Sequence, residues 1–137
     1  MAKHTFPAQL SQLPEAMAFL SACATAQGMS PDRVGEIELV VEEVLVNIIN
    51  YAYPGGDGDV TVTCDADTAG QVVMTFIDSG AAFDPLALPP PDISADIESR
   101  TVGGLGVFFV RELSEAVAYA RRGDTNQLTV TFGRRET

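Results

Sequence analysis

The segment 30–52 constrains the fold more than any other part of the sequence. Ser30-Pro31-Asp32 places a hydroxyl at an N-cap, a proline at the first helical position and an acid in the first turn, so a helix starts there. At roughly 100° per residue, Val34, Ile37, Val41, Leu45, Ile48 and Ala52 fall on one apolar stripe, which must lie on a core. Glu36, Glu43, Asn47 and Asn50 form a separate polar set, roughly opposite, bordered by Leu39 and Val46 on one side and Val40 on the other. A polar strip with apolar margins is the pattern of a cleft wall, although a partly covered surface helix gives it too. Glu38 and Glu42 lie to one side and read as solvated. The helix is expected to end near residues 51–52, before Pro54-Gly55-Gly56.

A layer for that stripe follows from the remaining pattern. Leu13, Met17, Leu20 and Ala24 predict an earlier helix over about residues 10–27, with Pro14 in its first turn and Gly28 at its end. Val60, Val62 and Cys64 alternate with threonines as in a strand, residues 65–70 read as a turn, and 71–77 as a more apolar, central strand. From residue 78 to 106 the periodicity dissolves into a long loop, and loops of that length are usually functional or mobile. A third helix is expected over about 107–113. Strands 116–121 and 127–132 follow, joined by a Gly123-Asp124-Thr125-Asn126 turn. Pro7 limits residues 5–6 to at most a short edge strand. With no repeat or linker, the 137 residues read as one α+β domain: a two-layer sandwich with helices on one face of a mixed sheet.

Composition removes whole classes of function. Nineteen acidic against eight basic residues give a net charge of -11, which argues against nucleic-acid or anionic-membrane binding. Lys3 is the only lysine, which excludes phosphate capture by a lysine in a glycine loop and leaves little room for Schiff-base chemistry. His4 is the only histidine, so neither a serine–histidine–aspartate triad nor a multi-histidine metal site has material. Cys23 and Cys64 are too few and too far apart in sequence for a disulfide scaffold, and read as two reduced, buried thiols. No signal-peptide pattern follows Met1, and the longest apolar stretch is broken by glutamates, so a cytoplasmic, membrane-free domain is expected.

Three short segments carry chemistry. Glu43 and Asn47, four apart, are neighbours on one helix face. Asparagine offers a neutral oxygen suited to Mg²⁺, and a carboxylate one turn away can take a proton from a nucleophile, position a water or hold a metal-bound water. Such pairs also arise by chance. Asp78-Ser79-Gly80 leaves an apolar strand, where an acid can accept a hydrogen bond from an exocyclic amine such as that of adenine. Gly80 lets backbone and ligand approach closely, although an ordinary turn has the same composition. Gly103-Gly104-Leu105-Gly106 opens a helix whose free amides favour an anion without any lysine, or serves only as a hinge.

In that order the segments resemble the GHKL ATPase superfamily of gyrase, heat-shock chaperone, histidine kinase and mismatch-repair proteins. Glu43-Val44-Leu45-Val46-Asn47 looks like its N box, Asp78-Ser79-Gly80 like its first glycine box and Gly103-Gly104-Leu105-Gly106 like its second. Tyr51-Ala52-Tyr53, Phe83-Asp84-Pro85 and Gly104-Leu105-Gly106-Val107-Phe108-Phe109-Val110-Arg111 narrow the likeness to the bacterial anti-sigma-factor serine kinases. The resemblance implies the GHKL (Bergerat) fold with a mostly antiparallel sheet, ATP or ADP as ligand, and a nucleotide lid over about 84–102. It implies Asn47 as Mg²⁺ ligand, Glu43 as general base toward a protein serine, and Asp78 and Gly80 at the adenine. Gly103, Gly104 and Gly106 would offer amides to the phosphates, and Asn50, Phe83, Arg100, Leu105 and Val107 complete the expected nucleotide-contacting set. Phosphoryl transfer asks mainly for positioning and charge neutralisation, which this sparse equipment can supply.

The sequence departs from the pattern in places. Ala82 stands where many members carry a second glycine, Asn50 where histidine kinases often carry a base, and Tyr51 where some anti-sigma kinases carry histidine. The leading expectation is a protein serine/threonine kinase that phosphorylates an anti-sigma-antagonist (STAS-type) domain, sequesters a sigma factor and forms a homodimer. A non-catalytic nucleotide-dependent binding switch and a stand-alone histidine-kinase-like ATPase module are the alternatives. With so few cations, nucleotide binding is expected to depend heavily on Mg²⁺.

Overall fold

Period-two alternation builds the sheet. The computed structural model describes residues 2–53, 57–87 and 110–134. In β2 (Asp59–Ala66), Val60, Val62 and Cys64 are buried while the intervening threonines are half-buried. β3 (Val72–Asp78) buries Val72, Met74, Phe76 and Asp78, and β5 (Thr125–Phe132) buries Asn126, Leu128, Val130 and Phe132. With β1 (Ala2–Pro7) and β4 (Ala116–Arg122) they form one sheet in the order β1-β2-β3-β5-β4, antiparallel at every described pairing. The two-layer α+β sandwich with helices on one face is therefore present, and the described sheet contains no parallel pair.

β1 and β5 run further than the sequence predicts. β1 is an edge strand, as expected, but it pairs with β2 over six residues. Pro7 is tolerated because it sits at the last position, where a missing N–H interrupts no further ladder. The β4–β5 turn uses only Gly123 and Asp124, with Gly123 at φ +61°, so Thr125 and Asn126 belong to β5 instead of the turn.

The helices cover the buried face. α1 (Leu13–Ala26) follows a short 3-10 turn, Leu10–Gln12, and buries Ala16, Leu20 and Ala24. Gly28, at φ +91°, turns the chain, and the Ser30 hydroxyl accepts from the Arg33 N–H at 3.2 Å to start α2 (Pro31–Asn47). The predicted stripe is the core stripe: Ile37, Val41, Leu45, Ile48 and Ala52 are buried and Val34 is half-buried. The helical path continues to Ala52, but its last turn, Ile48–Ala52, is a π-helix.

The cysteine expectation is overturned. Cys23 in α1 and Cys64 in β2 are joined in a disulfide, their Cα atoms 6.6 Å apart. Forty-one positions of sequence separate them, but packing α1 against β2 brings the two positions together. Among the described residues no helix is long and apolar enough to cross a membrane.

Arg33 fastens the two ends of the layer. It is 1% exposed, its Nε donates to the Gly133 carbonyl at 2.9 Å, and its Nη1 donates to the Leu113 carbonyl at 2.7 Å. Glu36 and Glu115 balance its charge at 3.1 and 3.4 Å, and the guanidinium lies over the Phe132 ring.

Candidate functional site

The alternation that makes the core also places polar groups at one end of it. Asp78 continues the series 72, 74, 76 and Asn126 begins the series 128, 130, 132, so both face the helix layer. The β3–β5 register sets them directly opposite each other. There the sheet and the end of α2 bound a cleft. Val44, Asn47 and Ile48 come from the helical side, Phe76, Asp78, Tyr119, Asn126 and Leu128 from the sheet, and Phe83, Pro85, Leu86 and Val110 complete the lining. Its empty space, including the part open to solvent, is about 470 Å³.

At the helical end Asn47 is 3% exposed, and its Nδ2 donates to Glu43 Oε1 at 3.1 Å. Its Oδ1 is buried with no hydrogen-bond partner among the described residues. Leaving such an acceptor unsatisfied costs about 1–3 kcal/mol, which a donor or a cation from outside can relieve. A neutral amide oxygen in this state fits a hard, oxygen-seeking cation such as Mg²⁺. Burial raises the Glu43 carboxyl from 4.5 to about 7; the Asn47 hydrogen bond opposes the shift and the Glu42 charge adds to it. A carboxylate that releases its proton near neutrality is suited to general-base work. One turn on, Tyr51 in the π-helix stacks on Phe83 with ring centroids 5.1 Å apart.

At the sheet end Asp78 is 4% exposed, and its Oδ1 accepts from the Gly80 N–H and from Asn126 Nδ2, both at 2.9 Å. Gly80 is also needed by the fold. A Cβ there would lie 2.1 Å from the Ala52 carbonyl oxygen, the same oxygen that accepts from the Ala81 N–H at 2.8 Å. Glycine thus permits a close approach of this loop to the end of the π-helix. Tyr53 braces the same loop, accepting from the Ser79 N–H at 2.8 Å and donating to the Asp59 carbonyl at 2.7 Å. Burial pushes its phenol above 10.

Of the residues singled out from sequence, Asn47, Asp78 and Phe83 line one cleft, with Glu43 bonded to Asn47. Asn50 is exposed on the π-helix and is not part of the lining. Glu36 leaves the polar strip to pair with Arg33, and Glu38 accepts from the Ser21 hydroxyl at 3.1 Å. Arg100, Gly103, Gly104, Leu105, Gly106 and Val107 lie outside the described residues, as does most of the segment 84–102. Sequence reasoning missed Asn126, Tyr119 and Leu128. The signal was available in the alternation 126, 128, 130, 132, but assigning Asn126 to the turn concealed which way it faces.

Comparison with known proteins identifies the family. A family model described as a histidine kinase-like ATPase domain matches residues 6–132. The serine/threonine-protein kinase BtrW of Bordetella bronchiseptica is 31% identical over 96 residues, 69% of this chain and 67% of BtrW. The serine-protein kinase RsbW of Listeria monocytogenes is 28% identical over 103 residues, covering 72% of this chain and 65% of that protein. Among solved structures, the SiaB–SiaC complex of Pseudomonas aeruginosa contains a chain that matches with a TM-score of 0.64 at 21% identity, over 96% of this chain and 89% of that one. The RsbU and RsbW domains of a Mycobacterium tuberculosis protein also match with a TM-score of 0.64, at 15% identity; all of this chain is covered, but only 35% of the mycobacterial one. These structural likenesses concern the fold.

Proposed function

Because the chain belongs to the histidine kinase-like ATPase family, in the group of the anti-sigma-factor serine kinases, we propose that it is an ATP- and Mg²⁺-dependent protein serine/threonine kinase. Its substrate in this reading is an anti-sigma-antagonist domain of STAS type, and a sigma factor is its second partner. The observation that supports it best is the Glu43–Asn47 pair. An amide oxygen that is buried and has no partner among the described residues stands one helical turn from a carboxyl raised to about 7.

Each residue then has a task. Asn47 Oδ1 would hold Mg²⁺, which when bound supplies positive charge against the triphosphate. Glu43 takes the proton of the serine hydroxyl as that oxygen attacks the γ-phosphorus, and ADP departs. Asp78 accepts a hydrogen bond from the adenine amine, while Val44, Ile48, Phe76 and Leu128 give the base an apolar bed that excludes water. The amides of Gly103, Gly104 and Gly106 are assigned to the phosphates by resemblance alone.

The test is incubation with Mg²⁺, γ-labelled ATP and antagonist proteins encoded by neighbouring genes. Phosphoserine should form with the wild type and disappear in Glu43→Gln while ATP binding persists. Retained labelling in that variant would remove Glu43 from the base role. ATP binding without labelling of any candidate, but with nucleotide-dependent affinity for one of them, would point instead to a binding switch.

A further inference from the structure

The Asn126 side chain makes five hydrogen bonds among the described residues, and they divide by sign. Its Nδ2 donates to Asp78 Oδ1 at 2.9 Å and to the Ala81 carbonyl at 2.8 Å. Its Oδ1 accepts from the Phe83 N–H at 3.3 Å, from Arg121 Nη1 at 3.2 Å and from the Tyr119 hydroxyl. Reversing the amide would set its NH₂ against the N–H groups of Phe83 and Arg121 and its oxygen against two acceptors, so the orientation is fixed by chemistry. The residue is 4% exposed, and these partners satisfy its whole side-chain amide.

The consequence falls on Asp78. Both described bonds to its carboxylate, from Gly80 and from Asn126, end on Oδ1, which leaves Oδ2 as the oxygen available to a ligand in the cleft. Asn126 also holds the loop that leaves Asp78, through Ala81 and Phe83. We propose that Asn126 is a positioning residue that makes the cleft selective for a 6-amino purine. It holds Asp78 so that an exocyclic amine finds an acceptor, while a carbonyl oxygen at the same place meets another acceptor and is rejected. This inference rests on the reading of the cleft as a nucleotide site.

The test compares ATP with inosine triphosphate, which carries a carbonyl where ATP carries the amine, both titrated with Mg²⁺ in excess. Wild type should favour ATP by about tenfold or more. Asn126→Asp keeps the shape and the three accepted bonds but turns the donor facing Asp78 into an acceptor. It should weaken ATP binding by about tenfold and leave inosine triphosphate within about twofold, collapsing the preference. Tyr119→Phe removes one donor from Asn126 Oδ1 and should reduce the preference by about twofold to threefold, which keeps the test open if Asn126→Asp fails to fold. Equal weakening of both nucleotides, or an unchanged preference in Tyr119→Phe and in any folded Asn126→Asp, would overturn the selectivity role. A wild type that binds neither nucleotide would overturn the nucleotide site itself, and this inference with it.

Discussion

The burial of Glu43 has a cost in stability. Its carboxyl is raised by burial from 4.5 to about 7, so the folded chain holds that proton more tightly than the unfolded chain does. The favourable contribution is therefore complete below about 4.5 and is lost as pH rises through about 7. The side chain is only half-buried, and solvent screening reduces the effect to about 1 kcal/mol. Glu43→Gln, without Mg²⁺ or nucleotide, should then melt about 2–4 °C above wild type at pH 8 and level with it at pH 4. Thermal denaturation at the two pH values decides, and an equal shift at both would mean that ionisation is not the cause. Gly80 makes a second prediction at this scale. A methyl group 2.1 Å from the Ala52 carbonyl must push the loop away, so Gly80→Ala should lose about 2–3 kcal/mol in urea unfolding. A loss under about 0.5 kcal/mol would show that the loop yields freely.

Elements differ in how openly the sequence declares them. The α2 stripe was legible because its period is local: every buried position is fixed by its neighbours three or four residues away. Asn47 and Asp78 were legible for the same reason, one on the strip opposite the stripe and the other at the end of an apolar strand. Asn126 was not, because two residues of turn against four decide whether it faces the core. Arg33 and the disulfide were not either, since their partners are distant in sequence: Gly133, Leu113 and Glu115 for the one, Cys64 for Cys23. Those long-range ties have measurable weight. Closing 41 residues with the Cys23–Cys64 bond should contribute about 2–4 kcal/mol, so reduction by dithiothreitol should shift urea unfolding by that amount. An unshifted curve would leave α1–β2 packing as the whole of the attachment. Arg33→Ala removes the buried donor to two carbonyls and the cation beside two part-exposed carboxylates, and should cost about 2–4 kcal/mol in the same measurement.

At the scale of the whole molecule, charge is the deciding quantity. The chain carries -11, has one lysine, and presents no lysine or arginine among the described residues that line the cleft. A triphosphate brought there meets a carboxylate at each end and no protein cation along the described lining. Tight nucleotide binding is therefore predicted to require Mg²⁺, acting through Asn47 Oδ1, the buried side-chain acceptor without a hydrogen-bond partner among the described residues. Calorimetric titration of ATP into wild type and Asn47→Ala, with Mg²⁺ and with chelator, measures this directly. Mg²⁺ should tighten ATP binding to wild type by about tenfold or more and have almost no effect on the variant. ATP affinity independent of Mg²⁺, or an unaltered Mg²⁺ response in Asn47→Ala, would contradict it.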